Sequence, residues 1–489
     1  MMITIHKSPQ PKIEIFDYNA PTVPAFTLSA QTHEYTQLLS YSFTESTMDL
    51  KGRFQFSIAG GDNNLFNEIQ PLQIVKIYEG ANTPVFIGVI ANKDLSCTMS
   101  QGGVQRQINF SGMSITGLIA NFQLILDIKF LSLTQIMSAE TINKDMVLRI
   151  NELQTKEPLK IKKFLELTWD TYLGYVGVRY LKPTADKAPV KGKAGESNKI
   201  VYDIIKNFMG NDFFEVGEAE SIPVPIANTF FNQGINTVQQ IWQTILAPPV
   251  YEMFSRVNEK GKTKIVVREL PFSFRENGIV HNRWGKLPIR KIKSPHLVDY
   301  SLRLSIDEVY TTFFAYIEGS SLSADQYIVI EQTDGDKIEK KILQVDEKKL
   351  KTYGMKMLQV AFRGYKKQTE KTEIITNAMH KLSLRLRSWF GRLDEMYTGS
   401  IRIINDFSEK QIRCGERVSF LGGEFYVRSC DHSWSYGGTP TISLQVIRGG
   451  KYNKGGEFVK VMPEMGTSNI ELKFDGEETN SLVDISWAR

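Results

Sequence analysis

The residues that could do chemistry are few, and their spacing withholds it. His33-Glu34 opens like a zinc-protease signature, in which two histidines one helical turn apart hold the metal. Gln37 stands where the second histidine belongs, so that ligand pair is missing. Gly192-Lys193-Ala194-Gly195 has the glycines and lysine of a phosphate loop without its spacing, and no buried strand leads into it. Cys97, Cys414, Cys430 and the six histidines show no metal-ligand spacing, and no G-x-S-x-G elbow occurs. Three cysteines cannot all pair, and so few cannot staple a chain of this size, which suits a reducing place of assembly.

Two acid-bearing strands draw attention. In Cys430-Asp431-His432-Ser433-Trp434 an aspartate adjoins a histidine. Neighbours on a strand point to opposite faces, so Asp431 cannot orient the His432 ring as a catalytic dyad requires. A structural or interface role follows for His432. Glu252, in Tyr251-Glu252-Met253-Phe254, is a lone acid among apolar residues and is expected to pair locally, because a buried carboxylate needs a partner. No catalytic, cofactor-binding or metal residue is assigned, and the chain reads as a non-enzyme.

The 489 residues carry 59 Lys+Arg against 54 Asp+Glu, a formal charge of +5, which is small for a protein that coats nucleic acid. With 42% hydrophobic and 23% charged residues the composition is that of a globular protein. The N-terminus lacks the apolar core of a signal peptide. The run Leu118 to Leu133, broken by Asn121, Gln123, Asp127 and Lys129, is too polar to span a bilayer. A membrane anchor is therefore not expected.

The elements that would position any site are mostly strands. Arg53 to Ile58 alternates, predicting one buried face, and Val85 to Ile90 is apolar on both faces, predicting a strand covered on both sides. Gly60 to Asn64 and Glu79 to Asn82 read as turns. A strand from Val104 to Phe110 leads into a short helix carrying Ile115, Leu118, Ile119 and Phe122. Phe164, Leu165, Trp169, Tyr172 and Leu173 suggest helices, and Lys182 to Lys199 an exposed, mobile loop. Ile235, Val238, Ile241, Trp242, Ile245 and Leu246 predict a helix that Pro248-Pro249 stops. Val250 to Phe254 and Thr263 to Val267 flank an Asn-Glu-Lys-Gly turn and predict a hairpin. Strand-like segments recur from Asp299 through Ile330. Ile375, Met379, Leu382, Leu386, Trp389 and Leu393 line one helical face, which packing onto a sheet explains as well as a coiled coil does. Further strands follow at Ser400 to Ile404, Arg417 to Leu421, Glu424 to Ser429 and Thr441 to Ile447, and the last 39 residues are polar, either ordering on a partner or remaining disordered.

In this order the segments resemble the baseplate hub proteins of contractile-tailed bacteriophages and phage-tail-like particles. The resemblance rests on Phe54 to Ile58, Ile74 to Tyr78, Pro84 to Ile90 and Ile108 to Gly112 in the first part. In the middle it rests on the helix expected over Ile235 to Leu246, followed by Pro248 to Phe254 and Val267 to Phe272. Near the end it rests on Gly415 to Phe420, Phe425 to Val427, Asp431 to Ser433 and Thr441 to Gly450. It spans most of residues 35–452. Lys182 to Lys199 and the residues after Tyr452 lie outside it.

The resemblance implies an α+β, mainly β fold with two tube-protein-like antiparallel β-barrel domains and helical or mixed insertion domains. The expected division is a first barrel with its closing helix at 1–125 and an insertion at 126–230. A mixed segment with second-barrel strands follows at 231–365, then the helix and closing strands at 366–452, and a polar extension at 453–489. The implied role is a homotrimeric, pseudo-sixfold ring adapting a sixfold tail tube to a threefold central spike. Tape-measure and baseplate wedge proteins would be further partners, in a tail particle assembled in the host bacterial cytoplasm. No cofactor and no specific nucleic-acid binding are implied. The tail-tip hub of a non-contractile tail, a tail-associated cell-wall hydrolase and a β-rich receptor-binding protein are the competing readings.

Overall fold

The computed structural model describes residues 10–17, 22–30, 37–60, 63–80, 82–100, 103–120, 123–125, 214–216, 235–237, 249–317, 328–333, 336–362, 372–407 and 411–462. The first half holds β1 (Pro11–Phe16), β2 (Pro24–Ser29), β3 (Leu38–Ser46), β4 (Arg53–Ala59), β5 (Ile74–Glu79), β6 (Phe86–Ser100) and β7 (Gly103–Ser114). Two short helices join them, α1 (Asn63–Glu68) and α2 (Ile115–Ala120). On β3, Tyr41, Phe43 and Glu45 are buried while Ser40, Ser42 and Thr44 are half-exposed, the period-2 pattern of a strand with one covered face. The inward residues of all seven strands form one core with Ile13, Phe56, Ile77 and Phe110 at its centre. Val85 to Ile90 is buried at every position, as a strand covered on both sides should be.

Small sheets follow. β8 (Gln123–Ile125) precedes β9 (Phe214–Val216) and β10 (Ile235–Thr237), and β8 pairs with β10. The hairpin of β11 (Tyr251–Val257) and β12 (Thr263–Glu269) turns through Asn258 to Lys262, where the Asn258 side chain accepts from Lys260 N and Lys262 N. Next come β13 (Phe274–Glu276), β14 (Ile279–His281), β15 (Ile289–Lys291), β16 (Leu297–Arg303), β17 (Thr312–Ile317), β18 (Ile328–Thr333), β19 (Asp336–Lys341) and β20 (Gln344–Val345). A helix α3 (Glu347–Tyr353), capped by the Asp346 carboxylate on Lys349 N, leads to β21 (Met357–Phe362). The long helix α4 (Thr372–Phe390) then lies against the sheet of β20, β17 and β21. Its buried stripe of Met379, Leu386 and Trp389 joins a core shared with Phe313, Ala315 and Val360, so sheet packing explains the sequence pattern. Ser383 Oγ accepts from Ala315 N at 3.0 Å, tying helix to strand.

The chain closes with β22 (Tyr397–Ile404), β23 (Arg417–Phe420), β24 (Gly423–Ser435), β25 (Thr441–Tyr452) and β26 (Phe458–Lys460). Ile401, Ile403, Val418, Phe425, Val427, Leu444 and Val446 point into a second β core.

Both halves belong to one 14-stranded sheet, whose main path runs β16-β22-β25-β24-β3-β4-β7-β6-β5-β1-β2. In the first half a parallel bridge, Ser29 to Gln37, brings the end of β2 back to the start of β3 and curls seven strands into a barrel. In the second, β23 pairs with β24 and β15 pairs parallel to β23. The turn Ser294–His296 carries β15 straight into β16, so six strands wrap the second core. The barrels share the β3–β24 ladder, from Ser46 opposite Ser429 to Ser40 opposite Ser435. The fold is α+β and mainly β, with two barrel-like halves and mixed insertions. Close approach inside the first barrel requires glycine at Gly112, where a Cβ would lie 2.0 Å from Val89 O and 2.7 Å from the Phe54 ring.

Several sequence expectations need correction. Ile235 lies in a strand and not in a helix, because its backbone pairs with Ile125; 238–248 are outside the described residues. Asn63 and Asn64, expected in a turn, instead start α1. Leu393 lies beyond α4 in a separate 3-10 turn, where Gly391 has ended the helix. Part of the polar extension after Tyr452 is ordered: β26 pairs with β25 and Met462 is buried in the second core. The helices expected around Trp169 and the loop 182–199 fall outside the described residues.

The core role of α4 is measurable. Leu386→Ala should lower the unfolding free energy by about 2–5 kcal/mol, and exposed Ser388→Ala by less than about 0.5 kcal/mol, in urea titrations followed by far-UV circular dichroism. Equal small effects would mean that α4 is not packed on the sheet.

Candidate functional site: the polar face of the shared sheet

Alternation along the strands that span both barrels sends apolar side chains into the two cores and leaves the opposite face to hydroxyls and amides. Across hydrogen-bonded neighbours, Ser301, Ser400, Gln445, Ser429 and Ser46 form one row. Asp299, Arg402, Ser443, Asp431, Thr44 and Arg53 form the next. A third runs through Thr441, Ser433, Ser42, Gln55, Ser111 and Asn92, and a fourth through Ser435, Ser40, Ser57, Asn109 and Asp94. Within these spans no large apolar residue interrupts the rows; beyond them Arg53 pairs with Met113 and Thr441 with Ile404. Their charges, Asp94, Asp299 and Asp431 against Arg53 and Arg402, nearly cancel, and Asp299 and Arg402 lie 4.0 Å apart. Hydroxyls and amides bond one another across strands, as Ser40 to Ser57 at 2.6 Å, Ser433 to Thr441 at 3.0 Å and Asn109 to Ser96 at 3.2 Å. The face is long, polar and close to neutral, and no single group in it is placed to react.

The core side of the same ladder carries the residues that look catalytic. His432 faces inward and is fully buried, while Asp431 faces the polar rows, so the two are separated as their adjacency predicts. The His432 ring stacks on Phe43 at 4.3 Å, and its Nδ1 lies 3.1 Å from Oε2 of Glu79, which is also wholly buried. Tyr41 donates to Glu79 Oε1 at 2.7 Å, Asn405 Nδ2 donates to Oε2 at 2.9 Å, and Gln411 Nε2 donates to the same oxygen. Burial alone would raise the Glu79 carboxyl. The electrostatic interaction with His432 and the hydrogen bonds from His432, Tyr41 and Asn405 outweigh it, and Glu79 is lowered from the ordinary carboxylate value. Burial, then the Glu79 charge, pushes the Tyr41 phenol well up and keeps it a donor.

A second pair crosses the same seam. Arg413 grips Glu45 with Nε at 2.9 Å and with Nη2, and that Nη2 also donates to Val85 O at 3.0 Å. Glu252 pairs locally, as expected. Arg268, opposite it in the hairpin, donates from Nε at 2.6 Å, and Tyr426 on β24 donates at 2.7 Å. Arg268 also donates to Gly415 O at 2.9 Å, so this cluster docks the hairpin onto the second barrel. Cys414 and Cys430 are unpaired and buried, and burial lifts both thiols well above their ordinary value. His33 and Gly192 to Gly195 lie outside the described residues, as do Gln31 to Thr36 around the former. Among the described residues no cluster of three or more His, Cys, Asp or Glu could hold a metal ion, and no helix is long and apolar enough to cross a membrane.

Sequence reading passed over Glu79 as part of a turn and gave no role to Glu45 or Arg413. The polar face, by contrast, is visible in Ser40-x-Ser42-x-Thr44-x-Ser46 once that strand's buried partners are known.

Two edges of the sheet meet no other strand among the described residues. The outer edge of β16 pairs with no described strand, and neither does the outer edge of β6 from Asn92 to Ser100, beyond its contact with β5. These edges end the eight-strand stretch β6-β7-β4-β3-β24-β25-β22-β16 that carries the polar rows.

No protein-family model and no curated protein matches the sequence. Solved structures do. The chain is similar to a tail protein from Neisseria meningitidis MC58 at 10% identity and a TM-score of 0.44, covering 89% of this chain and 96% of that one. It is similar to the 43 kDa tail protein of prophage MuSo2 from Shewanella oneidensis at 10% identity and a TM-score of 0.40, covering 90% and 98%. It is also similar to an E. coli component of the type VI secretion system at 9% identity and a TM-score of 0.40, covering 87% and 77%. That component is itself described as structurally similar to the T4 bacteriophage tail proteins gp27 and gp5.

The Glu79 cluster has a pH signature. Its folded value lies below 4.5, so its stabilisation is full above that pH and is lost as the pH falls through the lower folded value. Glu79→Gln should cost about 3–5 kcal/mol at neutral pH, and the gap from wild type should shrink below pH 4.5 in urea titrations across pH. A pH-independent gap would exclude a charged Glu79.

Proposed function

We propose that the chain is a structural baseplate hub of a contractile tail, a homotrimer whose pseudo-sixfold ring adapts the sixfold tail tube to the threefold central spike. The observation that carries this reading is the eight-strand stretch with a near-neutral polar face and, among the described residues, an edge at each end that pairs with no strand. Unpaired edges on a long sheet recruit further strands. Joining β16 of one copy to the outer part of β6 in the next continues the ladder head to tail, and such contacts form a ring when the rotation closes. Each copy brings two barrels, so three copies present six similar units around the axis.

In that ring the hydroxyl and amide rows line the lumen. Such a lining wets readily and offers a polymer no concentrated charge to grip, whereas a cluster of arginines would hold DNA through its phosphates. The two cores face away from the conduit, and the tube and spike proteins, and the tape-measure and wedge proteins, would meet the ring on its other surfaces. The residues 1–125, 126–230, 231–365, 366–452 and 453–489 would then be a first barrel, an insertion, a mixed segment, the closing helix and strands, and an extension. The role needs no catalytic centre or cofactor, and it places the chain in a tail particle assembled in the bacterial cytoplasm.

Edge pairing between copies is open to cross-linking. Ser96→Cys and Ser301→Cys, combined in a Cys97→Ser background, put one thiol on each unpaired edge and both on the polar face. A short bis-maleimide should give covalent dimers and trimers and nothing larger on a denaturing gel. Monomer alone, or an open ladder beyond trimer, would defeat the ring.

A further inference from the structure

Where the β11–β12 hairpin, α4 and the second barrel meet there is a cavity of about 370 Å³, within the range of small-ligand sites. Its walls include Leu50, Met253, Phe272 and Phe390. The buried cation among its lining residues is Arg448. Arg448 is 5% exposed and holds a left-handed backbone, φ +61°, at an irregular stretch of β25. Its guanidinium lies over the Phe272 ring at 3.4 Å from the centroid and 5.5 Å from that of Phe390, and its Nη2 donates to the Trp389 carbonyl at the end of α4.

That single carbonyl leaves most of the guanidinium donors turned toward the cavity. Among the described residues no carboxylate forms a salt bridge with Arg448. Burial pushes it down to about 10, and its electrostatic interactions with Tyr452, Tyr426 and Glu308 offset that only in part. The acids that also line the cavity are committed or peripheral. Glu252 is held by Arg268 and Tyr426, Asp49 accepts from Lys51 N, Asp307 accepts from Ser305 Oγ, and Glu308 is exposed. Arg303 and Arg428 add positive charge along the wall.

We propose that this cavity binds a carboxylate carried on an apolar body, the carboxylate on the free Arg448 donors and the body between Met253, Leu50 and the two phenylalanines. Arginine suits the task because its planar fork can offer two parallel N–H bonds to one carboxylate. The same chemistry could arrive as a free aryl or alkyl acid or as an acidic side chain flanked by apolar residues in a polypeptide.

The probe is 4-phenylbutyrate, titrated into the full-length protein by calorimetry, with 4-phenylbutanamide as its uncharged control. Saturable binding of the acid, with the amide roughly tenfold to a hundredfold weaker, is expected. Arg448→Met should reduce acid binding to the level of the amide. Because that substitution touches a special backbone position, Ser305→Trp at the cavity wall is a second variant, expected to block the acid while the thermal midpoint stays unchanged. An end-blocked Leu-Glu-Leu-Phe peptide tests the source. Competition below the concentration needed for the free acid assigns the site to a polypeptide, and failure to compete assigns it to a small acid. No saturable binding of 4-phenylbutyrate, or equal binding of acid and amide, would overturn the proposal.

Discussion

The β3–β24 ladder is the constraint on which the remaining structure depends. It joins residues almost 400 positions apart in the chain, and it must keep its register because a slip of one residue would turn Phe43, Tyr41 and His432 out of the cores and bring serines in. The ion pairs at this seam reinforce that register. Glu79 lies at the end of β5 in the first barrel, and every group that stabilises its charge, apart from Tyr41, comes from the second half. Arg413 reaches Glu45 across the same seam. A buried carboxylate without these donors would be strongly destabilised, so the two barrels are interdependent rather than two beads on a string.

This interdependence gives the polar face its continuity. The same alternation that buries Tyr41, Phe43, Val427, Cys430 and Leu444 fixes Ser42, Thr44, Ser429, Asp431 and Ser443 in rows that pass from one barrel into the other without a break. A surface of this kind has no concentrated charge, and among the described residues the strands at its two ends have an unpaired edge. A closed ring of such sheets satisfies the backbone of both edges and turns a one-sided surface into a lining.

How much of this was legible in the sequence depends on the range of the interaction. Period-2 strands, the Asn258 to Lys262 turn and the α4 stripe are local patterns, and they lie where alternation and helical spacing put them. The opposite faces of Asp431 and His432 follow from strand geometry alone. The partners of the buried ions do not. Glu79 and Asn405 are 326 residues apart and Glu45 and Arg413 are 368 apart, and nothing in either neighbourhood announces the other. The strand at Ile235 escapes a local pattern for a related reason: an apolar helical periodicity begins there, while pairing with Ile125, far away in sequence, decides the backbone. Arg448 looks like any arginine at the end of a strand until Phe272 and Trp389 are brought around it.

The account stands or falls on closure of like copies into a ring. The direct measurement is the mass of the purified full-length chain in solution, by light scattering coupled to size exclusion, over a wide range of concentration. The account predicts a species of three times 55.7 kDa that persists on dilution. A mass of one copy at every concentration, with the fold intact by circular dichroism, would contradict it.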